Sequence, residues 1–374
     1  MDFSIAARDR GTRARAATLA LGHGSVRTPC FMPVGTNASV KAMQYADLEE
    51  LGVALILGNT YHLYLRPGRE VIERAGGLHG FMGWGGNILT DSGGYQVFSL
   101  ASFRTVDDDG VTFRSHIDGS SHRLTPADVV DIQLGFGSDV IMPLDECTAP
   151  GTSREAAAGA VTRTTSWLEK SAERWSGAAA AGKGSLFGIM QGNFFPDLRE
   201  QSATEIVALD LPGYAIGGLS VGEEFSVFRD SLRHAAALLP EGKPRYLMGI
   251  GTPEYILEAV EAGIDLFDCV YPTRIARNAQ VLTLDGPLSL RNEKYRTDFR
   301  PVEESCRCPA CSRHTRAYLR HLFKAREIQA AVLATCHNLA FIESLVEKIR
   351  TAVAASSFAQ FKAEFLARYQ GGGA

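Results

Sequence analysis

Eight short apolar runs recur along the 374-residue chain: PCFMPVG (29–35), ALILGNT (54–60), ILTDSGG (88–94), DVIMPLDEC (139–147), LFGIMQG (186–192), YAIGGLSVG (214–222), YLMGIGT (246–252) and IDLFDCV (264–270). Between them stand segments with helical spacing of apolar residues: VKAMQYADLEELG, PGREVIERAGG, PADVVDIQLGFG, SREAAAGAVTRTTSWLEKSAERW, FPDLREQSATEIVALD, SVFRDSLRHAAALLP and PEYILEAVEAG. A strand that is apolar almost throughout is buried on both faces, and such strands alternating with helices make parallel βαβ units. Eight of them predict an α/β chain folded as a (β/α)8 TIM barrel; an open doubly wound sheet gives a similar pattern.

Two stretches break the rhythm. Residues 102–124, SFRTVDDDGVTFRSHIDGSSHRL, alternate and turn at Asp109-Gly110 and Asp118-Gly119, which predicts a β-hairpin insertion. The second begins near 284 and holds a cluster of cysteines and basic residues. The expected partition is a barrel with an N-terminal extension over 1–283, a zinc-binding basic subdomain over 284–340, and a helical segment over 341–374 that packs back on the barrel. The final GGGA reads as a frayed end.

Composition adds a soluble globular character, with 45% hydrophobic and 21% charged residues. No run of about 18 apolar residues stands out as a membrane span. Asp and Arg interrupt MDFSIAARDRGTRARAATLALG too often for a signal-peptide core. Seven cysteines, three of them in CRCPAC, suit a reducing compartment and a metal site, so the expected location is cytoplasmic. The net charge of −4 conceals an asymmetry: Arg291 to Arg326 holds ten Lys or Arg against four Asp or Glu, a local +6 that leaves −10 elsewhere. A basic patch on an acidic protein suits nucleic acid, and on charge alone a solvated helical face serves equally well.

Polar residues gather at one position in the pattern. Asp91, Asp145, Gln191, Gly218 and Asp268 stand at or just after the C-terminal ends of runs three, four, five, six and eight. In a barrel these ends converge on the face that carries active sites. Each alone reads as a satisfied loop residue; five together point to a site. Asp91 leads into Ser92-Gly93-Gly94-Tyr95-Gln96, whose glycines let backbone approach a ligand closely. Asp268 is expected across the ring from Asp91. Facing carboxylates serve substitution at an anomeric carbon, one attacking and the other moving a proton. A barrel glycoside hydrolase would use the same pair. Metal binding by these aspartates lacks a histidine at ligand spacing, and His62 in GNTYHL reads as structural. Arg274 and Arg277, just beyond Asp268, suit phosphate. Together these residues suggest an enzyme that cuts and remakes an N-glycosidic bond in a nucleic acid.

Cys306, Cys308 and Cys311, with His337 downstream, offer three thiolates and an imidazole, a closed tetrahedral set for one structural Zn2+. Cys336 is a rival for the fourth position, and His314 a weaker one.

The stretches FMPVGTNASVK, LGNTYHLYLRPG, ILTDSGGYQVFSL, DECTAP, FGIMQG, GYAIGGLSVGE, YLMGIGTPE, FDCVYPTRIARN, CRCPAC and CHNL resemble the bacterial tRNA-guanine transglycosylase (queuine tRNA-ribosyltransferase) family, in order and over essentially the whole chain. The resemblance implies a homodimeric barrel enzyme acting on tRNA with guanine at the wobble position. It implies that Asp268 is the nucleophile and Asp91 the general acid/base. The base would lie among Ser92, Gly93, Gly94, Tyr95, Asp145, Cys147, Gln191, Gly218 and Met248. Asp145 would pair with its amidine edge, Gln191 and the Gly218 N–H with its carbonyl oxygen, and Tyr95 and Met248 would sandwich the ring. The Leu219 carbonyl and Glu223 would accept the aminomethyl group of preQ1 (7-aminomethyl-7-deazaguanine), the bacterial substrate that Val221 and Cys147 suggest. RNA contact is implied for Gly249, Ile250, Gly251, Thr252, Pro253, Glu254 and Tyr255, and for Thr273, Arg274, Ile275, Ala276 and Arg277. Ile275 and Asn193 depart from the family's commonest residues, which bears on RNA contact and not on the chemistry.

Overall fold

In the computed structural model, which describes residues 1–100 and 103–371, each apolar run coincides with one parallel strand, four of which begin one residue before the run. They are β1 (Cys30–Gly35), β2 (Leu55–Gly58), β3 (Asn87–Thr90), β4 (Val140–Ile141), β5 (Ser185–Met190), β6 (Gly213–Ile216), β7 (Arg245–Leu247) and β8 (Leu266–Cys269). The ring runs β1 to β8 in chain order and closes where β8 pairs with β1. The fold is therefore the barrel and not the open sheet.

Successive side chains on each strand face opposite ways, and two apolar layers result. Met32, Val34, Leu55, Leu57, Leu89, Phe187, Ile189, Ala215, Tyr246 and Leu266 fill the barrel. Phe31, Ile56, Ile88, Leu186, Met190, Tyr214, Ile216, Leu247 and Phe267 face the surrounding helices. The same count of two carries Leu89 to Asp91 and Leu266 to Asp268, so both carboxylates continue the inward row at the C-terminal mouth.

The N-terminal extension is a three-stranded antiparallel sheet, Asp2–Arg8, Arg15–Leu21 and Gly24–Thr28. Its Leu19 and Val26 join the inner layer and close the opposite end of the barrel as a floor. The predicted hairpin is instead a three-stranded antiparallel meander, Arg104–Asp107, Gly110–Arg114 and Ser121–Leu124. Its inward face, Val111, Phe113 and Leu124, packs into the outer layer, where Phe113 meets Tyr61. Residue 102 of that insertion, and 372–374 of the terminal GGGA, lie outside the described residues.

The helical segments form helices with readable ends. In Pro126–Phe136, Thr125 caps the start, Asp128 returns the bond to the Thr125 backbone, and Gly137 ends the helix at φ 71°. The segment VKAMQYADLEELG is helical only over Tyr45–Glu50, and an unpredicted helix, Thr60–Leu65, follows β2.

After β8 come a short helix, Tyr271–Arg277, then the cysteine-bearing lobe, then the 27-residue helix Ile328–Ala354 and a final helix, Phe358–Gly371. By length and composition Ile328–Ala354 could cross a membrane. Here most of its apolar residues from Ala330 to Val353 are buried, and it packs against β1 and Tyr271–Arg277. Position 340 falls inside this helix, so one element belongs to both the lobe and the barrel wall.

An ion pair holds the floor to the barrel. Arg15, 1% exposed, donates Nε and a terminal nitrogen to the two oxygens of Asp265, at 2.9 and 2.5 Å, and further bonds to the carbonyls of Glu241 and Lys243. Asp265 in turn accepts the Arg245 N–H at 2.7 Å. Breaking a buried pair by removing one partner costs about 3–5 kcal/mol. Arg15→Met is expected to lose that much in urea unfolding, and a loss under 1 kcal/mol would mean the pair does not hold the floor.

Candidate active site

Asp91 and Asp268 enter the mouth from β3 and β8, three strands apart round the ring of eight. Asp91 is nearly enclosed. Its Oδ1 accepts the Thr60 N–H at 2.9 Å, and its Oδ2 accepts the side-chain amides of Asn59 at 2.5 Å and Gln96 at 3.0 Å. Burial raises its pKa to about 6 against the pull of these donors, and the charge of Asp268 adds to the rise. A carboxyl group poised near neutrality can both give and take a proton.

Asp268 is held differently. Both of its hydrogen bonds fall on Oδ1, from the Tyr246 hydroxyl at 2.6 Å and the Gly249 N–H at 2.8 Å. Burial raises its pKa, and these two donors oppose the rise. Oδ2 has no hydrogen-bond partner among the described residues, and Asp268 is only half-buried. One oxygen is anchored and the other is open to the mouth, as an attacking carboxylate requires.

Asp145, Gln191 and Ser92 line the same mouth as a connected set. Asp145 Oδ2 accepts the Gln191 amide at 2.7 Å, and Oδ1 accepts the Ser92 hydroxyl at 3.2 Å. Burial raises Asp145 to about 6 as well. Glycines set the spacing here. A Cβ on Gly93, at φ 81°, would come within 2.9 Å of the Tyr61 nitrogen, and one on Gly94 within 2.8 Å of the Asp145 carbonyl oxygen. Tyr95 is 58% exposed at the rim, and Met248 follows β7 against the inner layer. Cys147 is half-buried, and Leu219 is buried. Glu223 does not project freely: its carboxylate accepts the N–H groups of Ser220, Val221 and Gly222, closing the loop that follows β6.

The segments after β7 and β8 divide by exposure. Ile250, Gly251, Pro253, Thr273, Ile275 and Ala276 are buried, while Gly249 and Arg274 are exposed and Thr252, Glu254, Tyr255 and Arg277 half-buried. Arg274 and Arg277 lie three residues apart on Tyr271–Arg277, and neither has a carboxylate within salt-bridge distance among the described residues. In the basic lobe, Arg296, Arg300, Arg316 and Arg320 are paired with Glu293 or Asp298. Lys294, Arg307, Arg313 and Lys324 have no such partner among the described residues.

Cys306, Cys308, Cys311 and His337 bring their ligand atoms within 4.8 Å of one another, and Cys336 and His314 stand outside this set. His337 turns Nδ1 to the thiols, 3.2 Å from Cys311, and donates Nε2–H to the Leu282 carbonyl at 2.7 Å. Such an outer bond fixes the tautomer that leaves Nδ1 as a ligand. Three thiols and one oriented imidazole therefore fit a tetrahedral metal ion. Asn338 bonds to Leu282, Pro272 and Gln280, so the residue beside the ligand ties the lobe to the arginine helix. His23, His79 and Asp139 are equally close together under the floor. The two imidazoles stack at 3.6 Å with 19° between planes, His23 Nδ1 lies 2.8 Å from Asp139 Oδ1, and His79 Nε2 is 3.0 Å from the Gly86 carbonyl, which accepts from it.

Asn59, Gln96, Tyr246 and Asn338 do not stand out in the sequence pattern. Tyr246 had a usable signal, since it shares the inward row with Met248, two residues on.

Raised carboxyl pKa values have a sign in stability. Between pH about 4 and 6 the folded state holds a proton on Asp145 that the unfolded chain has lost, so the folded state weakens as pH rises through that window. Holding this carboxyl at about 6 instead of its ordinary value near 4 costs the folded state about 3 kcal/mol once the group is ionised. Asp145→Asn is therefore expected to unfold at higher urea than the parent at pH 8 and at the same urea at pH 4. Equal midpoints at pH 8 would refute the raised value.

The chain matches the TGT family profile, "Queuine tRNA-ribosyltransferase", over residues 9–371. It is 53% identical over 371 residues to a queuine tRNA-ribosyltransferase of Pelotomaculum thermopropionicum, covering 99% of each chain. Relatives of the same name from Caldanaerobacter subterraneus subsp. tengcongensis and Symbiobacterium thermophilum are 50% and 48% identical, over 99% of this chain and 98% and 92% of theirs. The chain belongs to the queuine tRNA-ribosyltransferase family and is, with it, a pentosyltransferase.

Proposed function

We propose that this enzyme exchanges guanine at wobble position 34 of tRNAs with GUN anticodons for preQ1, by double displacement through a ribosyl ester of Asp268. The observation that carries the reading is the unequal holding of the two carboxylates: Asp268 keeps Oδ2 open, while Asp91 is enclosed near neutrality. Asp268 Oδ2 attacks C1′ of the ribose, the bond from C1′ to the base breaks, and Asp91 supplies the proton the departing guanine takes. In the ester, Oδ1 becomes the carbonyl oxygen, still held by Tyr246 and Gly249. The incoming preQ1 gives its ring N–H proton to Asp91 and attacks C1′, and the Asp268 carboxylate is released. Two displacements retain the configuration at C1′.

Asp145 is suited to the amidine edge of the base, and Gln191 with the Gly218 N–H to its carbonyl oxygen. Tyr95 and Met248 flank the ring. The loop that Glu223 closes carries the Leu219 carbonyl, an acceptor for the aminomethyl group of preQ1. Arg274 and Arg277, free of carboxylate partners among the described residues, are suited to tRNA phosphates, as are the unpaired basic residues of the lobe. The buried residues of the same two segments shape this surface from behind. The Cys3His set is suited to one structural zinc, since four protein donors leave no open position. A homodimer in the cytoplasm completes the reading, and seven free cysteines suit that compartment.

Labelled guanine should enter a tRNA with a wobble guanine and not one lacking it. Asp268→Ala should abolish both this incorporation and the tRNA adduct that survives denaturing electrophoresis. Exchange at near-normal rate in that variant would remove Asp268 as nucleophile. Metal analysis should find about one zinc per chain, and strong chelators should lower the unfolding temperature along with its loss. A metal-free protein of unchanged stability would end the structural-zinc reading.

A further inference from the structure

Arg199 lies in the first turn of the helix Pro196–Val207, behind the base pocket, and is 1% exposed. A buried cation is costly unless an anion pairs with it. Among the described residues no carboxylate lies within salt-bridge distance of this guanidinium. Its partners are four backbone carbonyls: Met190 at 3.2 Å at the end of β5 and Asn193 at 2.9 Å just past it, and Gly217 at 2.8 Å and Gly218 at 3.5 Å beyond β6. Burial pulls its pKa down to about 10, which leaves it charged at neutral pH. The nearby Cys147 thiol, pushed up to about 12, stays neutral.

The carbonyl and N–H of a trans peptide point in opposite directions. Anchoring the Gly217 carbonyl to Arg199 therefore aims the Gly218 N–H away from the helix, toward the Cys147 thiol in the base pocket. A Cβ on Gly217 would fall 2.6 Å from Gln191 Nε2 and one on Gly218 2.8 Å from Gln191 Oε1, so these groups share one small space. The guanidinium also draws electron density through the Gly217 carbonyl, which makes the Gly218 N–H a stronger donor.

We propose that Arg199 is a positioning residue for base exchange, whose fixed charge acts through the Gly217–Gly218 peptide on the negative charge that guanine carries as it leaves. The inference rests on the proposed function, in which the Gly218 N–H holds the carbonyl oxygen of the base. It accounts for a buried cation with no carboxylate in contact: the charge of Glu223 reaches it only from a distance, held by the N–H groups of its own loop, and a further anion arrives with the reaction. Such preorganised charge acts on the transition state and little on the neutral bound base.

The test compares Arg199→Met and Arg199→Lys with the parent, as full-length, metal-loaded protein. Incorporation of labelled guanine into tRNA gives kcat and KM, and thermal unfolding gives stability. The methionine variant is expected to lose on the order of 10²-fold in kcat, with KM for tRNA within about threefold. Lysine, which restores charge without the planar fork, is expected to recover most of that loss and stay within roughly tenfold of the parent. A methionine variant exchanging within threefold of the parent overturns the proposal, as does a loss confined to KM or stability. So does a lysine variant as slow as methionine. If the methionine variant does not fold, the lysine variant decides: kcat lowered severalfold at unchanged KM supports the proposal, and a change in KM alone overturns it. If the parent itself incorporates no guanine, the transglycosylase reading fails, and the role of Arg199 fails with it.

Discussion

Where β8 pairs with β1, Asp268 lies opposite Met32 and the hydrogen-bonded ring of strands is complete. Closure fixes which side of every strand faces inward. It thereby converts the period of two along each strand into a radial order, with apolar residues inside the barrel and polar ones at the end of the same rows. Asp91 and Asp268 are the first residues on their rows with no further apolar layer above them. The floor strands fill the opposite end with Leu19 and Val26, so the interior opens in one direction only.

The mouth that results contains three carboxyl groups raised by burial and, behind them, one arginine that carbonyls alone satisfy. Each is expensive in a resting protein. In the proposed reaction a purine with its own donors and acceptors fills this space, loses a bond and carries charge away. The hydrogen bonds differ in kind accordingly. Those on Asp91 come from two side-chain amides and one backbone N–H and cover both oxygens, whereas those on Asp268 leave one oxygen bare. Two aspartates are thus distinguished by neighbours and not by residue type, as their proposed roles of proton carrier and nucleophile require.

Much of this was legible in the chain. Parallel strands buried on both faces leave unbroken apolar runs, and a carboxylate inside such a run, as in LFDCV, is conspicuous. The Cys-x-Cys-x-x-Cys spacing pointed to a cluster of ligand atoms for the same reason, and its three thiols do meet His337. Other parts were hidden by ordinary physics. The first strand, DFSIAAR, faces solvent on one side and uses alanine and serine freely, so its alternation is weak. The helix Thr60–Leu65 is one short stretch stabilised by what packs on it, with little signal of its own. Arg199 in FPDLREQ looks like any solvated helical charge until the helix is seen end-on to β5 and β6. Tyr246 looks like core, because its ring is core and only its hydroxyl reaches Asp268. Glu223 illustrates the converse: its identity was visible in SVGE, but its engagement with three backbone N–H groups depends on a loop shape that spacing does not reveal.

The seam between β8 and β1 also governs when, during its own synthesis, the protein acquires its chemistry. Leu266 pairs with Cys30, 236 positions earlier, so the first barrel strand waits for most of the chain to leave the ribosome before its partner exists. Such a distant pairing is slow to form, because the loop it closes is long. The strand that completes the ring is also the strand that bears Asp268, the proposed nucleophile, and the helix that then covers the seam, Ile328–Ala354, is made later still. A nascent or truncated chain therefore has Asp91 but no Asp268 opposite it. Under the proposed mechanism, shape and reactivity therefore arrive in the same late step.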